Sequence, residues 1–172
     1  MRKPSRDVQL DDIIAGQWIG VDSDALAIAL KIHLALEAIL IEMIRLFQPD
    51  DKIYKLSFPQ KTEKLVQQGY ILSADKSAFD RFNDFRNDFA HIFGHRVTLE
   101  YALALARDLE ALGIDFSDSV GSYSEAEATE YYGGFFGVLE EIGWNILYHA
   151  AYNLRERGGR DIFEAETRDV EP

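Results

Sequence analysis

The sequence predicts an all-α protein, a bundle of about five to six helices with an acidic helical C-terminal extension. Three observations carry that expectation. Leu, Ala, Ile and Glu dominate while Val is rare. Strand-type alternation is scarce, and no Asn-Gly or Asp-Gly hairpin signal occurs. Glycines and prolines fall where apolar helical patterns start or stop. The chain has 172 residues, 47% of them hydrophobic and 21 aromatic, ample for a core and unlike a disordered chain. It has no cysteine, which excludes disulfides, a thiolate zinc site and a cysteine nucleophile.

The first long helix is expected from Ser23 or Asp24 to Phe47. Asp22 or Ser23 caps it and Pro49 stops it. Its apolar residues cover most of the circumference, so it should be buried on more than one side. Only Lys31, Ala35, Ala38, Glu42 and Arg45 make a wettable strip. Residues 10–19 suit a short preceding helix. Ser57-Phe58-Pro59 announces a second helix, with serine as cap and proline in the first turn, ending at Gly69. A third runs from about Asp75 to Phe93 and stops at Gly94. A fourth runs from Thr98 to Gly113. After a loop, Ser122 or Ser124, each with Glu three residues on, offers a capping box. The stretch from Glu125 to Arg157 is long enough for eight to nine turns. Its glycines cost about 1 kcal/mol each inside a helix, so a break or close packing is expected at Gly133-Gly134. Two units follow: residues 1–112, a helical domain, and 113–172, an acidic helical extension packed on it.

Charge divides the chain in the same place. Residues 1–107 carry a net charge of −1, and residues 108–172 carry −11. From Asp108 to Leu154 there is no Lys or Arg. Phosphate contacts need those residues, so the acidic part is unsuited to non-specific nucleic-acid binding. The first part stays open to it, with five lysines between Lys52 and Lys76 against Glu63 and Asp75. The N-terminus has no apolar signal core, and the most apolar run is broken by Lys31, His33, Glu37 and Glu42. A cytoplasmic protein with no membrane span is the expectation.

The third helix is the most informative. At about 100° per residue, Phe79, Phe82, Phe85, Phe89, Ile92 and Phe93 form its apolar side. Asp80, Asn83, Asp84, Asn87, Asp88 and His91 form its polar side. Arg86 falls on the apolar flank, where a guanidinium needs an anionic partner if buried. His33 and Glu37, four apart on an apolar stripe of the first helix, share one face. Glu37 is therefore expected to hold Arg86 across the helix contact, within the chain or from a facing subunit.

Arg86-Asn87-Asp88-Phe89-Ala90-His91 resembles the Arg-x4–6-His signature of HEPN domains, in the form with Asn after Arg and Ala before His. The preceding HLALEAILIEMI and LSFPQKTEKLVQQGYI segments are similar to the helices before that motif, in a branch that includes mannitol operon repressor-like proteins. The resemblance covers about residues 24–112. It implies an HEPN-like bundle that dimerises around the motif, with Arg86 and His91 of both copies forming one cleft that cuts RNA without metal. It also implies a toxin or phage-defence effector, whose partners are RNA and a cognate antitoxin or regulatory protein. The residue types fit. Histidine exchanges protons near neutral pH, and arginine holds phosphate oxygens bidentately. Asn87 is placed to orient the imidazole or the phosphate, and Asp88 to pair with the imidazolium. His33 and Glu37 support Arg86. Many HEPN proteins are not nucleases, so a non-catalytic transcriptional regulator or interaction module, working through the acidic C-terminal surface, is the alternative.

Other constellations are weaker. No Glu-x-x-His occurs, and one Asp88-x-x-His91 does not make a di-iron site, so neither metal nor cofactor is expected. His95 is read as a spectator, and His149 as a structural histidine. Gly133-x-x-x-Gly137 lacks the Lys-Ser/Thr ending of a phosphate loop and is read as a close helix contact.

Overall fold

Helix α1 (Ser23–Arg45) is the central element of the computed structural model, which describes residues 23–91 and 98–164. The side chains of 89–91 are outside that description, as are the segments holding the expected helix at 10–19, Ile92, Phe93, Gly94 and His95. After α1 come a 3₁₀ turn (Asp51–Lys55), α2 (Phe58–Gln67), α3 (Ser73–His91), α4 (Leu99–Ala111), a 3₁₀ turn (Val120–Ser122), α5 (Glu125–Tyr132) and α6 (Phe135–Glu156). No strand occurs among the described residues, so the fold is an all-α bundle of six helices.

The nearly continuous apolar surface of α1 has a direct cause. It packs on α2 and α3 on one side and on α6 on the other, while α4 bridges α3 and α6. Leu36, Leu40, Met43 and Ile44 are fully buried. Phe79, Phe82 and Phe85 of α3 are fully buried too, each contributing about 1.5–3 kcal/mol of apolar transfer. Core residues on both sides of position 112, from Ala25 to Leu154, form one cluster.

Local chemistry ends the helices. The Ser57 N–H donates to Gln60 Oε1 at 2.8 Å, the reach-back half of a capping box. At the other end of α2, Gly69 adopts φ +71°. Its N–H donates to the Val66 carbonyl, and the Tyr70 N–H to Leu65, both at 2.9 Å. That is a Schellman closure, which an L side chain at Gly69 would strain. Gly113 closes α4 in the same way, with Ile114 N–H on the Leu109 carbonyl. Ser124, not Ser122, caps α5, accepting from the Glu127 N–H. The break between α5 and α6 falls at Gly133 and Gly134. At Gly143, a Cβ would lie 2.5 Å from Ile32 Cδ1, so the missing side chain is what lets α6 approach α1.

Candidate functional site

Helices α1 and α3 pack on each other, and Arg86 of α3 lies within electrostatic reach of His33 of α1. His33 is buried, its ring 4.9 Å from that of Phe58. Burial first, then the positive charge of Arg86, holds His33 below the ordinary imidazole value, while Glu37 acts in the opposite direction. Burial and Arg86 thus favour the neutral imidazole over the charged one. Its Nδ1 is buried with no hydrogen-bond partner.

The expected Glu37–Arg86 contact within the chain does not form. Glu37 Oε1 instead accepts from Lys61 Nζ at 2.9 Å. Lys61 is 2% exposed and donates also to the Leu56 carbonyl. The reason is packing. Phe58, Lys61, Thr62 and Leu65 are the buried residues of α2, at positions one, four, five and eight of one apolar stripe. Lys61 therefore points into the bundle, where Glu37 is its counter-ion. That spacing is the signal in the sequence from which the burial of Lys61, though not its partner, is legible. Thr62 on the same stripe donates to Asp80 Oδ1 at 2.9 Å, and Lys76 closes on the other oxygen of Asp80.

Arg86 is left without a carboxylate within ion-pair distance among the described residues. Its Nη1 donates to Asn87 Oδ1 at 3.0 Å, and its Nε is buried without a partner. Asn87 thus orients the guanidinium. Asp88 accepts from the Tyr101 hydroxyl of α4 at 2.8 Å, a partner that sequence spacing does not show. Burial and that bond to the carboxylate raise the Tyr101 pKa. Asp84 is also pushed up, by burial and by repulsion from Asp88. His91 closes α3, and its side chain lies outside the described residues.

Two buried orphans, Arg86 Nε and His33 Nδ1, thus sit within electrostatic reach of each other. A guanidinium N–H donates and a neutral imidazole nitrogen accepts or donates. With the imidazole neutral, the formal charge of this pair is positive. Among the described residues no group of three or more His, Cys, Asp or Glu is placed to hold a metal ion. No described helix is long and apolar enough to cross a membrane. No family model matches the chain, and no curated protein or solved structure matches it significantly.

Proposed function

We propose that this chain is a metal-independent endoribonuclease of HEPN type, working as a homodimer with Arg86 and His91 in a shared cleft. The single observation that supports the reading is Arg86. A half-buried guanidinium with no carboxylate partner among the described residues is a site for an anion, and a phosphodiester offers two non-bridging oxygens for it. In this reading Arg86 stabilises the charge that builds on those oxygens. His91 takes the proton from the RNA 2′-OH as that oxygen attacks phosphorus, and the imidazole of the second copy protonates the departing 5′-oxygen. The products are a 2′,3′-cyclic phosphate and a free 5′-OH. Such chemistry suits a toxin or phage-defence effector restrained by a cognate protein.

The test is cleavage of single-stranded RNA in EDTA. Wild type should cut it, leave a 2′,3′-cyclic phosphate and spare DNA, which lacks the 2′-OH. His91→Ala should lose about 10²–10⁴-fold in rate. Absence of cleavage above the His91→Ala control between about pH 6 and pH 8 would falsify the reading.

A second reading, a non-catalytic regulator or protein-interaction module, is favoured by α5. It exposes Glu125, Glu127 and Glu130 and carries no basic residue. Its working surface would be acidic and its partner basic. A folded, RNA-inactive wild type is the result that selects it.

A further inference from the structure

Three tyrosines cluster at the corner where α5 turns into α6. The ring centroids of Tyr123, Tyr131 and Tyr132 stand 5.4–5.6 Å apart. Tyr132 meets each of the other two edge to face, an arrangement that adds to the area it buries. The backbone beneath them is tightly built. Gly133 and Gly134 adopt positive φ at the end of α5, and a Cβ at Gly137 would lie 1.8 Å from the Tyr132 carbonyl oxygen. Gly133-x-x-x-Gly137 is thus the close approach of α6 to the end of α5, and it fixes the turn that presents Tyr131. That ring is 67% exposed.

The face of a tyrosine ring attracts cations, and this molecule shows it elsewhere. Tyr54 and Tyr152, 54% and 55% exposed, each carry a guanidinium of their own chain. Arg45 lies 5.3 Å from the first ring and Arg155 5.5 Å from the second. Tyr131 carries no such cation among the described residues. From Asp108 to Leu154 the chain has no Lys or Arg to supply one, and Arg107 donates to the Gly121 carbonyl instead. Acids border the cluster. The Tyr132 hydroxyl is buried without a partner, and its pKa is pushed up to about 12, by burial first and then by the charges of Asp118 and Glu141. No cation enters that balance. Glu130, next to Tyr131 on α5, and Asp118 are both exposed.

We propose that this corner receives an arginine side chain from a basic segment of a partner protein, with the guanidinium laid on the Tyr131 ring among those acids. Arginine fits better than lysine, because a planar, weakly hydrated guanidinium stacks on an aromatic face. The same acids repel a phosphate backbone. The inference rests on the interaction-module reading and gives the basic partner a point of contact.

The test is binding of a fluorescein-labelled hexa-arginine peptide to the full chain at about 150 mM salt, read by anisotropy. Tyr131→Ala should weaken binding about 3- to 30-fold, and Tyr131→Phe, which keeps the ring face, should stay within about twofold of wild type. Asp118→Asn with Glu141→Gln should also weaken it. Glu63→Gln with Glu156→Gln, the same change in net charge on α2 and at the far end of α6, should not. Wild-type affinity in Tyr131→Ala, or equal losses in the two acid pairs, overturns the inference while leaving an acidic interaction surface in place. A wild type that binds no peptide removes both. The chain's own Arg2, Lys3 and Arg6 are the rival occupant. Changing all three to Gln should leave the affinity as it is, and a gain would assign the corner to that segment instead. A second measurement needs no variant. In a proton–carbon spectrum the Tyr131 ring should shift on adding peptide, while that of Tyr54, already held by Arg45, should not. Equal shifts at both rings overturn the assignment.

Discussion

Two histidine sites in this molecule, one buried at His33 and one half-buried at His149, are finished differently. On the α3–α6 side, His149 Nε2 lies 2.7 Å from Asp75 Oδ1, and the other carboxylate oxygen accepts from the Leu72 N–H at 2.7 Å. Both oxygens of Asp75 are used, so it joins α6 to the first turn of α3 and leaves nothing over. On the α1–α3 side, His33 feels the charges of both Arg86 and Glu37, the former more strongly, and is hydrogen-bonded to neither. One nitrogen of His33 and one of Arg86 are buried without a partner. A closed pair stabilises the fold, whereas an unsatisfied one stores a desolvation cost that a ligand can relieve. The Glu37–Lys61 pair stands next to the open site and belongs with the closed one.

The largest expected effect comes from opening a closed pair. Lys61→Met keeps the apolar stem and removes the ammonium, leaving Glu37 and the Leu56 carbonyl without their donor. Breaking a buried pair on one side costs about 3–5 kcal/mol, and Glu37 is partly solvated, so the lower end applies. A loss of about 3 kcal/mol corresponds to about 6–12 °C in Tm for a chain of this size. A thermal melt checks it. A Tm within about 2 °C of wild type would show that Lys61 is not closing the site.

Asp75 comes next. Asp75→Ala removes an acceptor for His149 and for the Leu72 N–H, at about 2 kcal/mol. It also predicts a pH signature. Burial alone would raise the Asp75 pKa, but the hydrogen bonds from His149 and Leu72 outweigh it, and the net direction is down from 3.8. A carboxylate whose pKa is depressed by folding adds stability that is complete above its unfolded value. That stability is lost as pH falls through the folded one. Wild type should therefore lose Tm below about pH 3.8, and Asp75→Ala should lose less over the same interval. Parallel pH profiles for the two proteins would contradict the assignment.

The two sites also differ in how far the sequence discloses them. Helix ends were legible because they are local: Gly69 and Gly113 supply positive φ, and Ser57 and Ser124 sit where a cap is needed. The apolar side of α3 was legible through Phe79, Phe82 and Phe85, because periodicity records burial directly. Partner choice was not. Asp75 and His149 are 74 positions apart, and nothing local relates them. Arg86 and Glu37 could be marked as buried charges, but whether they meet depends on Lys61, a third residue whose reach is set by how α2 leans on α1. The open site was thus visible as an oddity in the sequence, and its openness became visible only in three dimensions.

The smallest effect on stability should come from the open site itself. Arg86→Gln removes a cation whose only hydrogen bond among the described residues is to its neighbour Asn87. It also removes the cost of desolvating an unpaired charge. The two contributions oppose, so the change in stability should stay below about 1 kcal/mol, a fraction of that for Lys61→Met. The sensitive readout is His33. The Arg86 charge helps to hold its pKa below 6.5, so Arg86→Gln should move its midpoint up in a proton–carbon NMR titration. The sign for stability follows. A histidine whose pKa is depressed by folding gives stability that is present above pH 6.5 and lost as pH falls through the folded value. Wild type should therefore melt lower at mildly acidic pH than at neutral pH, and Arg86→Gln should show a smaller drop. If Arg86→Gln costs as much stability as Lys61→Met, Arg86 is a structural residue, the site is closed, and the reading of Arg86 as a phosphate ligand loses its support.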